Sequence, residues 1–112
     1  MEPEDLQALL EGLCGSPELR PFRELVEPLE KRDRERNSDL VRTLRVFFAS
    51  GANVSKAADS LLLHRNSMTY RLERVSELTG LDFRDHRVRL AMQLGLLAIG
   101  KERSTNDEDE HP

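Results

Sequence analysis

The stretch Asn53-Val54-Ser55-Lys56-Ala57-Ala58-Asp59-Ser60-Leu61-Leu62-Leu63-His64-Arg65-Asn66-Ser67-Met68-Thr69-Tyr70-Arg71-Leu72 decides the fold of this chain. It reads as two short helices joined by a tight turn. The first carries the small pair Ala57-Ala58 where two helices must approach closely. The second opens with polar and basic side chains able to touch nucleic acid, which is the helix-turn-helix layout. With Met68 at the centre of the inward face, a rotation of about 100° per residue brings Leu72 and Val75 close beside it. Asn66 and Tyr70 then fall on the opposite side. Ser67 and Arg74 lie on one flank, with Arg71 nearer the core edge, and Arg65 and Thr69 lie on the other.

Working outward, Leu6, Leu9, Leu10 and Leu13 recur at helical spacing behind Pro3, which predicts a short amphipathic helix over 4–14 ended by Gly15-Ser16-Pro17. A second helix from Pro17 or Glu18 presents Phe22, Leu25, Val26 and Leu29, with bends expected at Pro21 and Pro28. Glu30 to Ser38 is nearly all polar or charged and reads as a solvated linker or frayed helical extension, the internal boundary of the chain. Ser38 or Asp39 is placed to cap a helix carrying Leu40, Leu44, Phe47 and Phe48, stopped at Gly51. Asn53 to Ser55 caps the first motif helix, with Val54, Ala57, Ala58 and Leu61 inward. The second motif helix runs from about Arg65 to Thr79 and ends at Gly80. A last helix, roughly Arg84 to Ile99, offers Val88, Ala91, Met92, Leu94, Leu97 and Ala98, with Gly100 as its stop. The expected architecture is all-α: a small helical bundle containing a helix-turn-helix. It divides into an N-terminal helical segment (1–35), a DNA-binding domain (38–100) and a disordered acidic tail (101–112).

The chain of 112 residues carries a formal charge of −4, which argues against phosphate binding until its distribution is read. Residues 1–39 hold 11 acids against 6 bases, and 100–112 hold 5 against 2. From Leu40 to Val75 there are six bases, Arg42, Arg45, Lys56, Arg65, Arg71 and Arg74, against Asp59 and Glu73, a local excess of +4. Local charge governs binding more than the total, although an arginine-rich solvated helix face gives the same count. A single cysteine, Cys14, cannot form an internal disulfide, its lack of a CxxC or Cys/His ligand partner in sequence argues against a zinc finger, and it reads as a small apolar residue. No apolar run is long enough to span a bilayer and no leader precedes the first helix, so a cytoplasmic protein with no membrane association is expected.

The residue types suit a groove. Arg pairs with guanine O6 and N7 and Asn with adenine N6 and N7, each good bidentate contact contributing roughly 1–3 kcal/mol of discrimination. Arg65 and Asn66 are therefore the first candidates for base contact, with Ser67 and Tyr70 beside them. Asn53, Ser55, Lys56, His64, Arg71 and Arg74 suit phosphate contacts that fix register. Each has a structural alternative. Tyr70 is equally placed to cover the junction with the last helix. His64 suits a helix cap or a backbone bond in the turn better than a base contact. Arg71 is within reach of Glu73, Asp59 or Glu77.

Taken together, Leu40, Thr43-Leu44, Gly51, Asn53, Ala57-Ala58-x-x-Leu61 and His64-Arg65-Asn66-Ser67-x-x-Tyr70-Arg71-Leu72, followed by Leu78-x-Gly80 and Asp82, resemble the C-terminal DNA-binding domain of PucR-type transcriptional regulators. That group includes purine-catabolism and sugar-diacid regulators. The similarity covers about residues 19–99, taking in Phe22, Leu25, Pro28, Leu29 and Asp33 upstream. The turn is also similar to that of the factor for inversion stimulation, a Fis-like arrangement. The resemblance implies a transcription factor acting on double-stranded DNA as a homodimer, with an effector-sensing domain N-terminal to this module and absent from the chain. Two departures stand out: Leu62 occupies a turn position where glycine is frequent, strained if its φ is positive, and Ser67 replaces the commoner Thr.

The competing class is a helical protein-interaction or oligomerisation module without DNA binding of its own, built on the Leu6-Leu9-Leu10-Leu13 stripe and the leucine-rich last helix. Simple core packing explains most of those leucines better. Catalysis is not expected: no register gathers a nucleophile with a base, His64, His86 and His111 are far apart, and no glycine loop cradles phosphate. No cofactor and no metal site are expected.

Overall fold

A computed structural model describes residues 1–100 in full and the backbone path of 101–110; the tail expected to be disordered, 101–112, lies outside the fully described residues. The elements are α1 (Pro3–Cys14), a 3-10 turn (Pro17–Leu19), α2 (Arg20–Arg36), α3 (Leu40–Ala49), α4 (Val54–Ser60), α5 (Arg65–Thr79) and α6 (His86–Glu110), with no strand among the described residues. The all-α expectation holds.

The core is one cluster. Val26 and Leu29 of α2, Leu40, Val41, Leu44 and Phe47 of α3, Ala57 and Ala58 of α4, Met68, Leu72 and Val75 of α5, and Met92, Leu96 and Ile99 of α6 are all buried in it. The polar run Glu30–Ser38 thus separates two stretches of sequence whose apolar side chains join the same core. Phe83 packs edge-on against Phe47 with centroids 5.7 Å apart, closing the bundle beside the α5–α6 connection.

Helix α2 continues without interruption through Pro28 to Arg36, so the polar run after Glu30 is a helical extension and not a linker. An interior proline costs about 3 kcal/mol. Val26 and Leu29, on either side of it and fully buried, each return about 1.5–3 kcal/mol, so tertiary burial carries the helix across. The last turns have no core face. They are supported instead by Arg34 and Arg36 near the negative end of the helix dipole and by Asn37, which ends the helix at φ 51°, a conformation its short polar side chain tolerates.

The cap of α3 is also different from expectation. Asp39 occupies the N-cap position but its side chain makes no capping bond, pairing instead with Arg42 at 3.3 Å. The carboxylate that caps α3 belongs to Asp33 on α2, which accepts from the Leu40 and Val41 N–H groups at 2.8 and 3.0 Å and from the Ser38 hydroxyl at 2.7 Å. Two helices are thereby locked at a corner through one side chain.

Helix α6 begins at His86, after a turn in which Asp82 and Asp85 each accept from the N–H and guanidinium of the arginine two residues on. Hydrogen bonds from the Arg87 side chain, then from its N–H, hold the Asp85 carboxyl down to about 2. Buried α6 side chains are Met92, Leu96, Ala98 and Ile99, whereas Val88, Ala91, Leu94 and Leu97, expected inward, are half-buried. Gly100 lies within α6 and does not end it. The Arg45 guanidinium lies beside it, at ordinary contact distance from where a Cβ would stand, and donates to the Leu96 carbonyl at 3.1 Å. Gly95 has a sharper role: a Cβ there would collide with the Phe22 carbonyl oxygen of α2, so only glycine permits the observed approach of the two helices.

Leu6, Leu9, Leu10 and Leu13 of α1, expected mostly as core, remain 51%, 61%, 45% and 36% exposed. The helix is tied to α6 by Cys14, half-buried, whose Sγ donates to the Leu97 carbonyl at 3.2 Å.

Candidate nucleic-acid interface

The turn between α4 and α5 is built from backbone hydrogen bonds. The Leu63 N–H reaches the Ala58 carbonyl at 2.8 Å and the Leu62 N–H the Asp59 carbonyl at 3.1 Å, a glycine-type helix ending in which Leu62 takes the left-handed position at φ 57°. The departure seen in the sequence is therefore a strained residue, and with a side chain 93% exposed Leu62 gains no packing in return. Ala57 and Ala58, both buried, set α4 closely on α5. Helix α5 turns Met68, Leu72 and Val75 inward as expected.

Its outer face is polar and open at the start. Arg65, Asn66, Ser67 and Tyr70 are exposed. Among the described residues the side chains of Arg65, Asn66 and Ser67 have no hydrogen-bond or ion-pair partner, so they are available to a ligand. Tyr70, 59% exposed, stays on this face; its hydroxyl accepts from Arg74 Nη2 at 2.7 Å, and the Arg74 guanidinium carbon lies 5.5 Å from its ring centroid. Arg74 also donates to Glu77 at 3.2 Å. The bond to Tyr70, followed by the nearby Glu77, raises the Arg74 pKa above its already high ordinary value.

The residues expected at phosphates divide. Ser55 and Lys56 are exposed at the start of α4. The Asn53 side chain caps α4, accepting from the Lys56 N–H at 2.9 Å. His64 caps α5: its Nδ1 accepts from the Asn66 N–H at 3.0 Å, which places the ring proton on Nε2. Arg71 is half-buried and donates not to Glu73, Asp59 or Glu77 but to the hydroxyl of Thr43 at 3.0 Å. Thr43, fully buried, in turn donates to the Asp39 carbonyl at 2.7 Å. This relay from α5 to the start of α3 was not legible beforehand; Thr43 sits among apolar residues with no local sign of its partner.

Sequence inspection also missed the far wall of the site. A groove of about 880 Å³ runs between the end of α2 and α5, lined by Arg32, Arg36, Asn66, Tyr70, Arg71 and Arg74 among others. The available signal was the arginine density of 32–36, set aside as solvated. Among the described residues no group of His, Cys, Asp or Glu is arranged to hold a metal ion, and no helix is long and apolar enough to cross a membrane.

An all-α bundle with two helices crossing at an alanine pair, the second presenting unpartnered Arg, Asn and Ser at its start, defines a helix-turn-helix module of the DNA-binding class. Comparison with known proteins agrees. The family model of the PucR C-terminal helix-turn-helix domain matches residues 40–98, and the chain belongs to that family. The proline-responsive transcriptional activator PutR of Bacillus subtilis is 30% identical over 73 residues, covering 65% of this chain and 18% of PutR. The carbohydrate diacid regulator of Escherichia coli is 36% identical over 92 residues, 81% of this chain and 23% of that protein. The purine catabolism regulatory protein of Bacillus subtilis is 31% identical over 93 residues, 83% of this chain and 17% of the relative. The chain thus spans about a fifth of the length of these curated relatives. No solved structure matches it. Family and fold identify a DNA-binding module of transcriptional regulators and not an enzyme.

Proposed function

We propose that the chain is the C-terminal reading head of a PucR-type regulator, which binds specific DNA sequences by placing the start of α5 in the major groove. The observation that carries this is the exposed, unpartnered set Arg65, Asn66 and Ser67 on the first turn of a helix whose opposite face is fixed in the core. Arg65 and Asn66 contact base edges, with Ser67 and Tyr70 beside them. Ser55, Lys56 and Arg74 hold phosphate, while Asn53, His64 and Arg71 act through the caps and the Thr43 bond that fix the two helices. The relatives are named for different signals while sharing the stretch matched here, which supports assigning effector recognition to an upstream region of a longer cytoplasmic protein.

The regulator acts as a homodimer on two half-sites, about one helical turn or a multiple apart. The exposed leucine face of α1 favours this arrangement and is the surface offered to a second copy. Selection of bound sequences from a random DNA pool, followed by gel-shift titration, tests the whole reading. Arg65→Ala and Asn66→Ala lower the ratio of specific to non-specific affinity by about ten- to a hundredfold each, corresponding to roughly 1–3 kcal/mol per contact. Lys56→Ala weakens both kinds of binding and flattens the salt dependence. Unchanged operator affinity in Arg65→Ala refutes the base-contact assignment. A chain that is dimeric in sedimentation yet binds no duplex at low salt favours the interaction-module alternative.

A further inference from the structure

We propose that the groove between the C-terminal end of α2 and the outer face of α5 is a second DNA-phosphate site outside the helix-turn-helix, in which Arg32 and Arg36 grip the strand beside the reading helix. The proposal rests on the DNA-binding reading of α5 and extends it to a helix that the motif does not include.

Four guanidiniums, those of Arg32, Arg36, Arg71 and Arg74, line this groove against a single carboxylate, Asp39, which is paired with Arg42 at 3.3 Å. Arg71 and Arg74 are engaged by Thr43, Tyr70 and Glu77 and so are held in place. Arg32 and Arg36 are different: among the described residues neither has a hydrogen bond or ion pair, and Arg32 is half-buried. The neighbouring acids are spent elsewhere. Asp33 caps α3, and Glu35 lies 3.9 Å from Lys31. A half-buried guanidinium without a counterion, in a concave wall of other guanidiniums, concentrates positive potential. The planar fork of Arg matches two phosphate oxygens.

Position selects the duplex backbone as the occupant. Asn66, Ser67 and Tyr70 line the same groove, so the cationic wall is continuous with the face that meets base edges. A strand flanking a groove entered by α5 passes along it. The N-terminus of α3, which also borders the groove, contributes no anion site of its own, because its first N–H groups are taken by Asp33.

The test uses the full chain and a mixed-sequence duplex long enough for two half-sites, with affinity measured by fluorescence anisotropy over a salt series. Each phosphate contact contributes about 0.9 to the slope of log affinity against log salt. The double variant Arg32→Ala/Arg36→Ala reduces the slope by about 1–2 and weakens mixed-sequence and selected duplexes by the same factor, while circular dichroism shows the helical fold retained. Arg32→Lys/Arg36→Lys retains the slope. If the native chain binds duplex and the alanine variant keeps its slope and affinity, this proposal alone is overturned. If the native chain binds no duplex at low salt, it falls together with the reading of α5. Saturable inorganic phosphate binding that depends on Arg32 and Arg36, with an unchanged duplex slope, assigns the groove to a free anion and overturns it as well.

Discussion

Helices α1 and α5 carry the same kind of signal and meet opposite fates. Each has an apolar face at helical spacing, Leu6, Leu9, Leu10 and Leu13 on one and Met68, Leu72 and Val75 on the other. The α5 face is buried to the last side chain, whereas every leucine of the α1 face is at least 36% exposed. Periodicity reports which side of a helix is apolar. It does not report whether the fold supplies anything to cover it. For α5 the cover comes from α4, which precedes it by a four-residue turn, and from α2 and α3, which close over the same face. Among the described residues α1 packs on α6, tied to it at Cys14, and that contact leaves the leucine face largely open.

The contrast is sharpest where helices distant in sequence must meet, and the largest effect is expected there. Gly95→Ala gains about 1 kcal/mol of helix propensity but drives a methyl group into the Phe22 carbonyl oxygen, so α2 must move off α6. We expect a net loss of about 2 kcal/mol in urea unfolding; a stabilised variant breaks the claim that the α2–α6 approach depends on glycine. A smaller effect of opposite sign is expected in the motif. Leu62→Gly relieves about 1–2 kcal/mol of left-handed strain and gives back about 0.5–1 kcal/mol of chain entropy, with no packing lost at a side chain 93% exposed. The midpoint of unfolding should rise by the equivalent of about 0.5–1 kcal/mol. The smallest effect belongs to α1. Leu9→Gln should alter the stability of the monomer by no more than about 0.5 kcal/mol while weakening self-association in sedimentation. A loss of 2 kcal/mol or more, typical of a core leucine, erases the difference between the two helices.

Much of the site was legible because its signals are local. The caps of α4 and α5, the inward triad of α5, the exposed Arg65-Asn66-Ser67 and the strained Leu62 all depend on residues within a few positions of one another. His64 also followed its alternative as a cap. The partners of Arg71 and of the α3 N-terminus were not legible. Thr43 lies 28 residues from Arg71, and Asp33 sits seven residues before Leu40, across a run that reads as solvent-exposed. Asp39 and Ser38 were nearer candidates for that cap, and nothing in the local pattern favours a carboxylate on the preceding helix. The continuity of α2 through Pro28 was hidden for the same reason: the burial that offsets the proline comes from α6 and α3. Gly95 left a faint mark, a glycine interrupting a helix-forming run.

The sequence by itself determined the helix-turn-helix, its inward and outward faces and the identity of the side chains exposed at the start of α5, because short helices and tight turns are set by capping, left-handed positions and a 3.6-residue period. The tertiary structure decided which apolar faces are covered and which glycine carries a helix crossing. It also brought Arg32 and Arg36 to the wall beside α5. Those outcomes depend on which distant segments meet, and burial and hydrogen bonds across such contacts outweigh the local preferences of proline, of a polar run or of a leucine stripe.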